Sequence, residues 1–132
     1  MSRKDPHTGG HYPYQAAIEA YGNGGFRFAG MSHRGSLLCL PGGMFAWDVN
    51  EARDVTVESL SPVFEAADSL DVLFIGMGPD IAPLPTPLRD ALRERGIIVE
   101  AVSTGSAVRT YNVLLAEDRA VAAALIAVDR SK

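Results

Sequence analysis

Residues 72–75 of this chain read Val-Leu-Phe-Ile, an apolar run with no polar residue at alternate positions. A strand that is apolar on both sides needs cover on both sides, which restricts it to the interior of a layered sheet. A second run, Ile97 to Ala101, comes after a Pro-rich loop (Gly76 to Pro85) and a segment in which Leu88, Ala91 and Leu92 recur at helical spacing. Strand, helix and strand in this order have the length of a right-handed βαβ crossover, so the two strands are expected to be parallel. Thr86 is placed to cap the intervening helix, with Pro87 at its first position and Gly96 at its end. Val72, Phe74, Ile75, Ile98 and Val99 are accordingly expected to be almost fully buried.

The chain before the crossover reads as β-structure. Ile18 to Tyr21, Phe26 to Ala29, Ser36 to Leu40 and Met44 to Trp47 are short strand candidates. They are separated by Gly22-Asn23-Gly24-Gly25, by a turn from Ser32 to Gly35, and by Pro41-Gly42-Gly43, and the spacing predicts an antiparallel meander. Leu60, Val63, Phe64 and Ala67 then share one helical face, with Pro62 tolerated in the first turn. After the crossover, Thr104 to about Val128 reads as helical. Ala107, Tyr111, Leu114 and Leu115 line one face, and Val121, Ala122, Leu125 and Ile126 another. A break is expected near Ala116, where Glu117 and Asp118 suit a fresh helix N-terminus. The pattern is a mixed α/β fold in a single domain over residues 17–132, with residues 1–16 as a disordered tail.

Composition narrows the function classes. Apolar residues make up 47% and charged residues 21%, an ordinary globular balance. Twelve Lys and Arg against sixteen Asp and Glu give a net charge of −4 with no basic cluster, which argues against nucleic acid as a partner. No apolar run approaches the roughly 18–20 residues that span a bilayer, so direct membrane insertion is not expected. The single cysteine, Cys39, permits no intrachain disulfide, and residues 1–15 contain no apolar signal region. Both observations point to a reducing, cytoplasmic setting.

No catalytic set emerges. Cys39 lies within an apolar strand, where a thiol behaves as a small hydrophobe. His7, His11 and His33 fall in the tail or in a turn, so no metal site is expected. The strand ending in Gly76-Met77-Gly78, with Glu100 at the end of the next strand, is a partial dinucleotide fingerprint. That chemistry needs a helix starting directly on the glycine loop. Here Pro79, Pro83, Pro85 and Pro87 delay the helix and Ile81 occupies the third glycine position, so no cofactor is expected. Ser103-Thr104-Gly105-Ser106 stands between a buried strand and a helix. It could hold an anion with Arg109 one turn on, or simply cap the helix. Asn112, a poor residue for a helix interior, asks for a hydrogen-bonding reason: a tie to the Gly76–Pro85 loop, or the floor of a pocket. With Arg119, these residues define a candidate ligand site of Gly76, Met77, Gly78, Thr104, Gly105, Ser106, Arg109, Asn112 and Arg119 at the carboxyl ends of the parallel strands.

Several short motifs in order carry a family resemblance: Tyr21-Gly22-x-Gly24-Gly25-Phe26, a strand ending at Trp47, Ile75-Gly76-x-Gly78, and Gly96-Ile97-x-Val99-Glu100. They continue with Thr104-x-x-Ala107-x-x-Thr110-Tyr111-Asn112-x-Leu114 and Glu117-x-Arg119-x-Val121-Ala122-Ala123-Ala124-Leu125. From Ile18 to Val128 the chain resembles the small domain family that includes the mitochondrial complex I assembly factor 3 and an adipogenesis-associated cytosolic protein. The resemblance implies a three-layer fold with a β-layer, a mixed central sheet and helices. It also implies an accessory or assembly role through binding another protein, without catalysis, and supplies no catalytic residues to carry over. The alternative left open by the residues themselves is a small-molecule or anion-binding domain using the site above.

Overall fold

In the computed structural model, which describes residues 12–130, the Val-Leu-Phe-Ile run is strand β6 (Val72–Gly76) inside a five-stranded mixed sheet. Its neighbour β7 (Ile98–Val102) is parallel, with Val72 opposite Ile98 and Gly76 opposite Val102. The crossover between them carries helix α2 (Thr86–Glu94), and Gly96, at φ +80°, turns the chain back into the sheet. Pro85 takes the N-cap position and Thr86 lies inside the helix, so the expected threonine cap is not made.

The remaining strands are β1 (Ala20–Gly22), β2 (Gly25–Phe28), β3 (Met31–Arg34), β4 (Ser36–Leu40), β5 (Gly43–Trp47) and β8 (Val121–Leu125). The sheet order is β5-β4-β8-β6-β7, while β1-β2-β3 form a separate antiparallel sheet. The expected continuous meander is therefore divided. Ser32 to Arg34, read as part of a turn from Ser32 to Gly35, belong to strand β3 of the small sheet, and the β4–β5 hairpin joins the large one. Gly35, at φ +93°, stands where the chain passes from one sheet to the other.

The larger correction is at the C-terminal end. Helix α3 (Thr104–Ala116) stops where expected, and Asp118 adopts a left-handed φ of 60°. The next element is no second helix but strand β8, inserted between β4 (antiparallel) and β6 (parallel). Val121-Ala122-Ala123-Ala124-Leu125 has strong helix formers at its centre, yet every residue is buried. A wholly apolar five-residue segment fits the interior of a sheet covered on both faces, and tertiary burial overrides propensity. Ala122 and Ala124 face one core, and Val121, Ala123 and Leu125 the other.

Three layers result. On one face of the central sheet, α2 and the short helix α1 (Ser61–Glu65) pack Val63, Leu88 and Leu92 against Leu38, Leu73 and Ile75. On the other face, α3 and the small sheet pack Ala107, Val108, Tyr111, Phe26 and Phe28 against Leu37, Cys39 and Phe74. Phe74, Ile75 and Val99 are buried as expected, and Val72 is partly so. Ile98 is 65% exposed, because β7 is an edge strand and α3 lies over β6 and β8 instead.

Of the expected tail, residues 1–11, including His7 and His11, lie outside the described residues. Tyr12 pairs with Met44, and Gln15 and Ala16 bond to β8 and α3. Phe74→Ala should lower stability by about 3–5 kcal/mol in chemical denaturation. Burial pushes the Cys39 thiol well above its usual pKa, with the Tyr111 hydroxyl pulling weakly the other way. A disulfide exchange reagent at neutral pH should therefore label Cys39 only as fast as the protein opens.

Candidate functional site

At the carboxyl ends of the parallel strands, the glycine loop and the start of α3 come together through one side chain. The Thr104 hydroxyl, fully buried, donates to the Ile126 carbonyl at 2.7 Å and accepts from the Gly78 amide at 3.1 Å. The Thr104 amide in turn donates to the Gly78 carbonyl at 2.8 Å, and the Ile126 amide to the Gly76 carbonyl at 2.9 Å. Gly76 is a glycine for a steric reason, since a Cβ there would stand 2.8 Å from Thr104 Cα. Met77 is buried in the core beneath the loop.

The helix start is capped from within. Ser103 is the N-cap, and its hydroxyl accepts from the Ser106 amide at 3.3 Å. The Ser106 hydroxyl meets Ser103 Oγ at 3.2 Å and accepts from Arg109 Nη2 at 3.3 Å. Gly105 is buried in the same turn, so Gly76, Met77, Gly78, Thr104, Gly105, Ser106 and Arg109 do form one neighbourhood. Asn112 belongs elsewhere. Its Oδ1 accepts from the Ile18 amide at 2.8 Å and its Nδ2 donates to the Ile18 carbonyl at 2.9 Å. The amide side chain thus pairs with backbone as a neighbouring strand would, and the expected tie to the Gly76–Pro85 loop is replaced by a tie to the N-terminal segment. Arg119 lies exposed in the turn after α3. Glu100, the fingerprint's acidic residue, is exposed on the edge strand. Among the described residues, no group of three His, Cys, Asp or Glu is placed to hold a metal ion.

Two cavities lie away from this junction, and none of the nine expected site residues lines either. One, of about 280 Å³, lies between α2 and β7 beside Arg89, Arg93 and Glu100. The other, of about 410 Å³, is a concavity on the small sheet. The register sets its chemistry. Arg27 faces Ala20 and Ser32 across the sheet, and Gly25 faces Gly22 and Arg34. Directly opposed residues share a face, so Arg27 and Arg34 are diagonal neighbours on the outer surface. Phe26 and Phe28 point inward from the same strand. Sequence reading missed this pair. The Phe-Arg-Phe alternation already put Arg27 outside, but reading residues 32–35 as a turn removed Arg34 from the same sheet.

Comparison with known proteins agrees with this architecture. The family model described as protein of unknown function (DUF498/DUF598) matches residues 18–126. An uncharacterised protein of Rhodobacter capsulatus is 40% identical, the match covering 96% of this chain and 93% of that one. The NADH dehydrogenase (ubiquinone) 1 alpha subcomplex assembly factor 3 of Xenopus tropicalis is 32% identical over 83% of this chain, which spans only 60% of that protein's length. The crystal structure of a protein described as an outer membrane protein from Bartonella henselae superposes with a TM-score of 0.86 at 54% identity. That likeness covers 89% of this chain and 99% of the other.

Thr104→Val keeps the side-chain shape but leaves the Ile126 carbonyl and the Gly78 amide buried without a partner. It should cost about 2–4 kcal/mol in a urea melt. Asn112→Ala should cost about 1–3 kcal/mol by the same measurement. The Arg109→Ala, Arg119→Ala double variant should stay within about 1 kcal/mol of the parent, as exposed substitutions do.

Proposed function

The chain belongs to the DUF498/DUF598 family, and from that membership we propose that it is a non-catalytic accessory protein that acts by binding another protein. The observation that carries the reading is the match to the assembly factors, which extends over 83% of this chain. The distribution of polar groups supports it. The buried polar atoms of the glycine loop and of Thr104 have their hydrogen-bond partners inside the fold. No helix among the described residues is long and apolar enough to cross a membrane. The cytoplasmic setting belongs to the same proposal and is supported by the single, unpaired Cys39.

The test is affinity purification of the tagged chain from its native host after cross-linking in the cell. Recovered protein and small molecules are both identified by mass spectrometry. One protein should be enriched reproducibly, and deletion of the gene should leave that protein's complex incomplete on native gels. A complex that assembles unchanged, or recovery of a metabolite without a protein, would overturn the reading and favour an anion or small molecule at the start of α3.

A further inference from the structure

We propose that the outer face of the β1-β2-β3 sheet is a docking surface for an acidic, extended segment of a partner protein, held by Arg27 and Arg34. The proposal rests on the protein-binding reading above and names the surface and the partner's chemistry.

Both arginines are exposed on adjacent strands of one sheet face. Arg27 donates to the Ser32 hydroxyl at 2.9 Å, and neither arginine forms an ion pair among the described residues. Glu19, the nearest acidic residue in sequence, bonds the Gly30 amide with its carboxylate and does not line the concavity. Two neighbouring guanidiniums without carboxylates repel one another, a cost that a bound anion relieves. In a chain of net charge −4, this small positive surface stands against the overall balance.

The size of the concavity and its two charges point to a polypeptide. Gly22 and Gly25 lie opposite each other beside Arg34, so no side chain stands between that arginine and the β1 edge, and Gly25 itself is buried. Gly25 is required by its own sheet, since a Cβ would collide with the His33 carbonyl oxygen. A single small anion at two exposed arginines gains little, because each exposed ion pair is worth roughly 0–1 kcal/mol. A segment with several carboxylates along the 410 Å³ concavity makes both contacts at once. A second copy of the chain is disfavoured, because a twofold contact through this face would set arginines against arginines.

The probe is a fluorescein-labelled glutamate decapeptide, titrated with the full chain at low ionic strength and followed by fluorescence anisotropy. The parent should bind, and Arg27→Glu, Arg34→Glu should weaken binding by about tenfold or more, with Arg27→Ala, Arg34→Ala intermediate. An Arg89→Glu, Arg93→Glu control at the other cavity carries the same charge change and should stay within about twofold of the parent. Thermal melting identifies any variant that fails to fold, and the alanine pair then decides. The proposal is overturned by absence of binding to the parent, equal loss in the control, displacement by equimolar inorganic phosphate, or tighter binding of an oligothymidylate. The partner recovered by cross-linking separates the two readings. Recovery undiminished by Arg27→Glu, Arg34→Glu removes this surface and leaves protein binding intact, whereas absence of any partner removes both.

Discussion

The rest of the fold depends on the contact between Gly76 and Thr104. Strand β6 ends, α3 begins and β8 leaves the sheet at the same place, and one buried hydroxyl bonds to two of the three segments. Buried backbone amides and carbonyls must be paired, and three chain ends in an apolar interior offer several that the sheet ladder cannot reach. Thr104 supplies a donor and an acceptor from one atom, and the missing side chain at Gly76 lets the helix start approach closely enough to use them. A valine or alanine could fill the space but not close the hydrogen-bond network.

Fixing that end of α3 decides what its other face can reach. Tyr111 passes through the core and donates from its hydroxyl to the Ala16 carbonyl at 2.8 Å, while Asn112 holds Ile18 by both backbone groups. Gln15 Nε2 donates to the Val121 carbonyl at 2.7 Å. The segment leading into β1 is therefore bound to α3 and β8 by three side chains before the small sheet begins. Beyond the first turn of that sheet, the Asn23 and Gly24 amides donate to the Asp129 and Val128 carbonyls. One face of the small sheet is then closed against the core by Phe26 and Phe28, and the other, with Arg27 and Arg34, is left facing outward. The outer face of this sheet is thus positioned by side chains far away in sequence.

The polar residues that stood out in sequence were conspicuous for structural reasons. Ser103 caps a helix, Thr104 knots three segments, and Asn112 substitutes for a missing strand neighbour. Ser103 follows the rule for a helix start. Thr104 and Asn112 place a hydroxyl and an amide where an apolar residue would suit the core or the helix, and each offsets this with hydrogen bonds to backbone. Arg27 and Arg34 break no local rule. An arginine on the outer face of a strand is ordinary alone, and only their adjacency gives the pair its chemistry.

Short-range pattern in the sequence was enough for some elements. The βαβ crossover follows from two apolar runs and a helical stripe, and the end of α3 near Ala116 follows from its periodicity. The burial of Cys39 and Phe74 follows from the runs they sit in. The partners of those elements were settled at the tertiary level alone. Val121 to Leu125 satisfies helix and strand periodicities alike, because five consecutive apolar residues mark no single face. It became a strand because β4 and β6 flank a gap whose backbone groups a helix could not pair. The division of the N-terminal strands between two sheets, the pairing of Asn112 with Ile18, and the meeting of Arg27 and Arg34 have the same origin. Each is set by which strand lies beside which, and that is fixed by burying both faces of the central sheet rather than by any local spacing.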